Sequence, residues 1–123
     1  MPLRDIFGFG SAEPRLKGRD VAVIDVGSNS VRLVQFRVEG RVLWPVFNEK
    51  TMAGLGKGAA QTGRLNPEGV EAALRTLIRF TRLLDAKGVT TRGVVATAAV
   101  RECEDGPDFV ERVRQETGLV IDV

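Results

Sequence analysis

The stretch VAVIDVGSNSVRL, residues 21–33, constrains the fold of this chain more than any other. Two apolar runs flank the tetrapeptide GSNS, and the first run carries a single carboxylate, Asp25. Apolar runs of this length are typical of buried strands, whereas glycine, serine and asparagine are typical of turns. The stretch therefore predicts a central strand covered on both faces, a tight turn with an acid at its rim, and a returning strand.

The predicted turn consists of Gly27, Ser28, Asn29 and Ser30. Glycine at its start allows a backbone conformation that most residues avoid. The turn brings backbone N–H groups and three polar side chains into one small volume, and converging N–H groups can bind an anion. Two interpretations follow: a phosphate-binding turn, or an ordinary hairpin turn, in which serine and asparagine are common.

Asp25 is the first candidate for a chemical role. A carboxylate in an apolar strand is costly to bury unless it is paired, hydrogen-bonded or close to a cation. Asp25 either holds Mg²⁺ through water beside a bound phosphate or accepts hydrogen bonds from the turn amides. The sequence has no histidine and one cysteine, Cys103, which excludes a Cys–His pair and a histidine-rich metal site. Any metal is therefore expected to be a hard ion with oxygen ligands.

The rest of the chain predicts an α/β fold with a mixed sheet. A long helix between two strands predicts a parallel crossover onto the same sheet. Asn66 and Pro67 are typical of a helix start, and Gly88 and Gly118 of helix ends. The predicted elements are a strand at 42–47 with Pro45 at an edge or bulge, a helix at 66–88, a strand at 93–97, helices at 98–103 and 105–118, and a strand from 119. The predicted buried stripe of the long helix consists of Val70, Leu74, Leu77, Ile78 and Leu84.

Residues 52–64 contain four glycines and predict a mobile loop. The segment GLGKG within it lacks the spacing of a Walker A motif and does not lead from a buried strand into a helix. The loop is therefore interpreted as either a flexible rim over a binding cleft or a plain surface loop.

Two arginines and a threonine lie near predicted strand ends. Arg32 follows the turn, and Thr97 and Arg101 follow the strand predicted at 93–97. Ligands of open α/β sheets gather at the carboxyl ends of strands, and a guanidinium matches phosphate geometry well. The alternative for each arginine is a surface salt bridge. Thr97 is either a core residue at the strand end or a hydroxyl that faces the cleft.

Composition limits the function classes further. The 123 residues are 43% hydrophobic and 28% charged with a net charge of +2, which suits one soluble domain or part of one. The arginines are spread along the chain without a polybasic patch, so no DNA partner is expected. One cysteine fits a reducing cytoplasm. No segment reaches the roughly 18 apolar residues that span a bilayer, and residues 1–19 predict a disordered tail rather than a signal peptide.

The motifs resemble one known family. DVGSNSVRL at residues 25–33 resembles the first phosphate motif of the exopolyphosphatase/guanosine pentaphosphate phosphohydrolase (Ppx/GppA) family, and ATAAVRE at 96–102 resembles its second recognisable block. The following DGPDFVERVRQETG is similar to the family's usual continuation. The resemblance covers residues 20–123. It implies the RNase H-like fold of the actin-like ATPase, sugar kinase and Hsp70 superfamily, with this chain as the N-terminal part of a truncated domain.

The resemblance also implies an activity and roles for residues. It implies cytoplasmic hydrolysis of the terminal phosphate of inorganic polyphosphate, guanosine pentaphosphate or both, with Mg²⁺, by a full-length homodimer. Asp25 would position the metal and the attacking water, and Arg101 would neutralise charge on the polyanion. The candidate phosphate-binding residues are Gly27, Ser28, Asn29, Ser30, Arg32 and Thr97.

The family's water-activating glutamate and second phosphate loop are expected after Val123, so this chain alone is expected to be inactive. The cysteine at 103 stands where the family often has a small residue and is interpreted as a packing residue. Two alternatives stay open. One is a non-catalytic phosphate or nucleotide sensor of the same fold, and the other is a kinase of the same superfamily.

Overall fold

Within residues 19–123, the part of the chain that the computed structural model describes, five strands form one mixed sheet. The strands are β1 (Arg19–Val26), β2 (Ser30–Glu39), β3 (Val42–Met52), β4 (Thr91–Ala96) and β5 (Ile121–Asp122). The helices are α1 (Ala59–Thr62), α2 (Pro67–Lys87), α3 (Ala98–Glu102) and α4 (Gly106–Thr117). Apart from Arg19, which begins β1, the predicted tail lies outside the described residues.

The sheet has the strand order β3-β2-β1-β4-β5. The first three strands are antiparallel neighbours, and β4 and β5 run parallel to β1. The predicted hairpin at the turn is therefore confirmed, as is the predicted return of the chain, after the long helix, to a strand parallel to β1 on the same sheet. A mixed sheet with β1 at its centre places the ends of β1 and β4 side by side.

Helix α2 begins and ends where its sequence predicts. The side chain of Asn66 accepts a hydrogen bond from the Gly69 N–H at 2.8 Å, Pro67 is the first helical residue, and Gly88 ends the helix at φ 71°. These contacts satisfy backbone groups that a helix leaves unpaired at its ends. No helix within residues 19–123 is long and apolar enough to cross a membrane.

One face of the sheet packs against the helices. Of the stripe predicted on α2, Leu74, Leu77 and Leu84 are buried, whereas Val70 and Ile78 are half-buried. Phe80, which the predicted stripe omitted, is fully buried. Burying each such side chain contributes about 1.5–3 kcal/mol. The core that the helices and this sheet face share includes Ala22, Ile24, Val26, Val31, Leu33, Leu74, Leu77, Phe80, Leu84, Val100, Phe109 and Val113.

The prediction that the central strand is covered on both faces is confirmed at Val21 and is wrong at Asp25, toward the end of β1. On the side of β1 that faces away from the helices, Val21 is buried with Val38 and Phe36, Val23 is half-buried and Asp25 is exposed. We call this second side the open face of the sheet. Hydrophobicity suggested coverage because Val23 is apolar, but the buried residues of α2, α3 and α4 all belong to the core on the other face. Asp25 therefore does not carry the cost of a buried carboxylate.

Strand β3 is longer than predicted. It continues beyond Phe47 through Asn48, Glu49 and Lys50 to Met52. Pairing with β2 satisfies the backbone groups of β3 that face β2, and an edge strand can carry polar side chains toward water. The predicted irregularity at Pro45 is confirmed, since the register with β2 shifts there.

The glycine-rich loop is more structured than predicted. It contains α1, and Leu55 is fully buried in the core. The Leu55 carbonyl accepts a hydrogen bond from the Asn66 N–H at 2.9 Å, which joins the loop to the start of α2. A buried leucine anchors the loop because its burial offsets the entropy of ordering the chain.

The C-terminal elements follow the predicted order. Helix α4 ends at Gly118 as predicted, but the Asp105 carboxylate before it accepts a hydrogen bond from the Leu65 N–H at 2.9 Å and does not cap its own helix. Cys103 is buried between these helices and the core, and burial raises the pKa of its thiol. This agrees with its interpretation as a packing residue.

Candidate phosphate-binding site

The carboxyl ends of β1 and β4 meet at one edge of the sheet. Val26 and Ala96, the last residues of the two strands, are partners in the parallel register. The N–H of Thr97 donates to the carbonyl of Val26 at 3.2 Å. Gly27 and Thr97 therefore leave the sheet side by side, although they are far apart in sequence.

Gly27 is required for close packing, and the turn does not use the positive φ that glycine allows. Its φ is not positive. Its N–H donates to the carbonyl of Ser30 at 2.9 Å, which closes the turn. A Cβ at position 27 would lie 3.2 Å from the Ser30 carbonyl oxygen and 4.0 Å from Thr97 Oγ1. The absent side chain therefore lets the turn close and leaves the space in front of Thr97 open.

The glycine-rich loop holds the turn through its carbonyl groups. The Ser28 carbonyl accepts from the Gly56 N–H at 2.9 Å, and the Asn29 carbonyl accepts from the N–H groups of Ala53 and Gly54, each at 3.0 Å. The N–H groups of Ser28 and Asn29 have no acceptor among residues 19–123. A turn whose carbonyls are bound and whose N–H groups are free can accept an anion.

Asp25 lies next to this turn with its carboxylate exposed on the open face. In the described part of the chain it accepts no hydrogen bond and forms no ion pair, so the turn amides do not satisfy it. Arg32 on β2 is its direct cross-strand partner. Arg32 is also exposed and likewise forms no ion pair with a described residue, so the predicted alternative of a salt bridge is not found.

Thr97 and Arg101 lie at the junction of β4 and α3. Thr97 is exposed, which excludes the core interpretation, and its side chain does not cap α3. Arg101 lies one helical turn later, is exposed, and forms no ion pair within residues 19–123. The structure brings Thr97 to Gly27. It shows no hydrogen bond or ion pair that joins Arg101 to Asp25 or to the turn.

The residues present fit a cation that takes most of its ligands from phosphate and water. No group of three or more acids or cysteines among residues 19–123 could hold a metal ion by itself. One exposed, unpaired carboxylate beside free N–H donors matches the way Mg²⁺ is bound, through one or two carboxylates together with substrate phosphates.

Sequence reasoning missed the role of Gly56. A Cβ at this position would lie 2.9 Å from Ser28 Cβ and 3.3 Å from Ala99 Cβ, so the loop approaches both the turn and α3. The density of glycines in residues 52–64 was a signal of close approach, but it did not say which elements the loop contacts.

Comparisons with known proteins identify the family of this chain. The model of the Ppx/GppA phosphatase family matches residues 21–123. Exopolyphosphatase 1 of Mycobacterium tuberculosis is 30% identical over 100 residues, which cover 80% of this chain and 29% of that protein. Exopolyphosphatase 2 of the same species is 34% identical over 86 residues, which cover 67% of this chain and 27% of that protein.

Solved structures give the same result. The crystal structure of the Aquifex aeolicus Ppx/GppA family member superimposes with a TM-score of 0.82 at 34% identity, covering 85% of this chain and 34% of that chain. An exopolyphosphatase from Cytophaga hutchinsonii superimposes with a TM-score of 0.80 at 30% identity, with the same coverage. The chain thus spans about a third of the proteins it matches and has their actin-like, RNase H-like fold. This chain belongs to the Ppx/GppA phosphatase family.

Proposed function

We propose that this chain supplies the first phosphate-binding site of an exopolyphosphatase-type phosphohydrolase. The full-length protein would release terminal phosphate from inorganic polyphosphate, from guanosine pentaphosphate, or from both. One observation supports the proposal: the turn that follows Asp25 has N–H groups at Ser28 and Asn29 without an acceptor among residues 19–123, and it lies beside Thr97 at the end of β4. Because the chain covers only 29% of a matched relative, the activity is proposed for the full-length protein.

The proposed roles follow from the chemistry of phosphoryl transfer. Negative charge on the transferring phosphoryl oxygens must be stabilised, and fixed N–H donors do this without reorganising. The turn from Gly27 to Ser30 and the Thr97 hydroxyl would donate hydrogen bonds to the terminal phosphate. Arg101 and Arg32 would neutralise the charge of the polyanion, since both are exposed and without an ion pair among the described residues.

Asp25 would hold Mg²⁺ together with water and phosphate oxygens. The ion would supply positive charge beside the transferring phosphate. The exposed position of Asp25 on the open face supports this role, because the carboxylate keeps its lone pairs available for a cation and for water. The same carboxylate would orient the attacking water.

Phosphate release from long-chain polyphosphate tests the proposal. We expect Asp25→Ala in the full-length protein, assayed with Mg²⁺, to lower kcat/KM by about 100-fold or more, as loss of one charge-stabilising group does in other enzymes. Asp108→Ala is the matched control, because Asp108 is an exposed carboxylate in the first turn of α4. Equal rates for Asp25→Ala and the wild type would disprove the role of Asp25. Parallel assays with guanosine pentaphosphate determine which substrate is preferred.

A further inference from the structure

Two cations face each other across β2 and β3. Arg32 and Lys50 are direct partners in the antiparallel register, and both side chains are exposed. Like charges placed directly opposite each other in a sheet repel and are destabilising. A neighbouring acid or an external anion would offset the repulsion, and Asp25, directly opposite Arg32, forms no ion pair with it.

Glu49, the acid next to Lys50 in the sequence, forms an ion pair with a different residue. Successive side chains of a strand point to opposite faces, so Glu49 and Thr51 lie on the helix-covered side of β3. There Arg79 of α2 forms an ion pair with Glu49 at 2.6 Å and donates to Thr51 Oγ1 at 3.0 Å. Glu49 is therefore held away from Lys50 by both strand geometry and its own partner.

The pair differs from most arginines of the described region. Arginines that form ion pairs with acids there are Arg37, Arg64, Arg79, Arg92, Arg112 and Arg114. Arg32 and Lys50 belong to no ion pair with a described residue. Four more arginines are without such a partner: Arg41 lies in the turn between β2 and β3, Arg75 and Arg82 lie on α2, which covers the opposite face of the sheet, and Arg101 belongs to the candidate site.

The pair is continuous with the candidate phosphate site. Asp25 is opposite Arg32, and Arg32 is opposite Lys50, so the three residues form one row across β1, β2 and β3. Side chains in register across a sheet share a face, which places this row on the open face. Neighbouring strands are about 4.8 Å apart, so a ligand that reaches from Asp25 to Lys50 spans roughly 10 Å.

We propose that Arg32 and Lys50 form a second anion-binding site, which holds the inner phosphates of a linear polyphosphate while its terminal phosphate lies at the turn. This inference rests on the proposed function and deepens it, because it assigns Lys50, which the proposed site does not include, to the binding of the polyanion. A bound polyanion offsets the repulsion between the two cations. The site favours long chains over short ones, since a short chain held at the turn does not extend to Lys50.

The test compares substrates of different length in the full-length protein. We expect Lys50→Gln to raise KM for long-chain polyphosphate about threefold to tenfold, as for loss of one exposed charge contact. The increase in KM of Lys50→Gln for tripolyphosphate will be at least threefold smaller than the increase for long-chain polyphosphate. For both substrates kcat will change less than KM. Lys50→Arg keeps the charge and will restore the wild-type preference. Arg82→Gln removes an exposed cation from α2 and is the matched control.

Equilibrium binding of long-chain polyphosphate at several salt concentrations separates this inference from the proposed function. Lys50→Gln removes one charge contact, so we expect its affinity for polyphosphate to depend less steeply on salt concentration than the affinity of the wild type. Equal effects of Lys50→Gln on long and short chains, or no effect on either, would overturn the second site. A wild-type protein that binds long-chain polyphosphate without hydrolysing it would overturn the proposed function, and the binding comparison would still decide the role of Lys50. A wild-type protein that does not bind it would overturn both.

Discussion

Gly56 and Ser28 touch where the glycine-rich loop meets the turn. The Gly56 N–H donates to the Ser28 carbonyl at 2.9 Å, and a Cβ on Gly56 would lie 2.9 Å from Ser28 Cβ and 3.1 Å from Ser28 Oγ. At this distance a side chain at position 56 requires the serine or the loop to move. A single missing methyl group thus allows the loop to approach the turn closely enough to donate a hydrogen bond to the Ser28 carbonyl.

Gly56→Ala tests this contact. We expect a loss of about 1–3 kcal/mol in the free energy of unfolding, because an added methyl group overpacks the site. In a Ser28→Gly background the atom that the new Cβ meets is absent, so the cost of Gly56→Ala will fall by about 0.5 kcal/mol or more. Urea unfolding of the four proteins of this cycle measures the coupling. Equal costs in both backgrounds would show that the two residues do not interact.

At the scale of elements, α2 is positioned by a contact with the loop that precedes it. Gly69 is buried in its first turn, and a Cβ there would lie 2.6 Å from the Gly54 carbonyl oxygen and 2.8 Å from Leu55 Cα. These are backbone atoms, which cannot move away from an added methyl group as easily as the end of a flexible side chain can. The loop and the helix therefore lie close together only because residue 69 is glycine.

Gly69→Ala is expected to destabilise the protein. Alanine in a helix normally gains about 0.5–1 kcal/mol over glycine. Here the clash with the loop backbone outweighs that gain, and we expect a net loss of about 1–3 kcal/mol in the free energy of unfolding. Arg82→Ala, at an exposed position of the same helix, is expected to change stability by less than about 0.5 kcal/mol. Chemical denaturation measures both, and a stabilised Gly69→Ala protein would contradict the contact.

The elements differed in how well their sequence predicted them. The limits of α2 were predictable because they depend on local contacts. Asn66 caps the first turn, Pro67 begins the helix and Gly88 ends it, and each interacts with residues only a few positions away. The end of β3 was not, because apolar side chains stop at Phe47 while backbone pairing with β2 continues to Met52. The loop was recognised by its glycines, but the burial of Leu55 depends on the distant core it enters.

At the scale of the whole molecule, one polar network joins the sheet to α2. Asp20 accepts hydrogen bonds from Arg37 Nε at 2.9 Å and from Gln35 Nε2 at 2.8 Å. Lys87 at the end of α2 donates to Gln35 Oε1 at 3.1 Å and lies 3.8 Å from the centre of the Phe47 ring. Hydrogen bonds from the Arg37 guanidinium hold the pKa of Asp20 below its ordinary value of 3.8.

This network makes stability depend on pH in a defined direction. A carboxylate whose pKa is lowered by folding stabilises the folded state above its unfolded pKa, near 3.9, and this contribution disappears as the pH falls through the lower folded value. We therefore expect the wild type to be more stable than Asp20→Asn at pH 7 and the difference to shrink as the pH falls below about 3.9. Urea unfolding across this range measures it, with Asp108→Asn as the control. A difference that stays constant with pH would contradict the role of the Asp20 charge.

The sequence predicted the individual residues of the candidate site, but it did not predict which of them lie close together. Asp25 and the turn were recognisable because an acid in an apolar run and a GSNS turn are local patterns. The exposure of Asp25 was not predictable, because hydrophobicity along a strand does not say which faces a distant helix covers. The pairing of Arg32 with Lys50 requires the register between two strands, which neither strand contains by itself.

The sequence by itself determined the hairpin, the turn and the limits of α2, because each depends on interactions among residues a few positions apart. Only the tertiary structure decided that Thr97 lies beside Gly27, that Gly56 packs on Ser28, and that Asp25 is exposed on the side of the sheet that faces away from the helices. Those features arise where segments from distant parts of the chain meet. They depend on strand order, register and helix packing, which are properties of the whole chain.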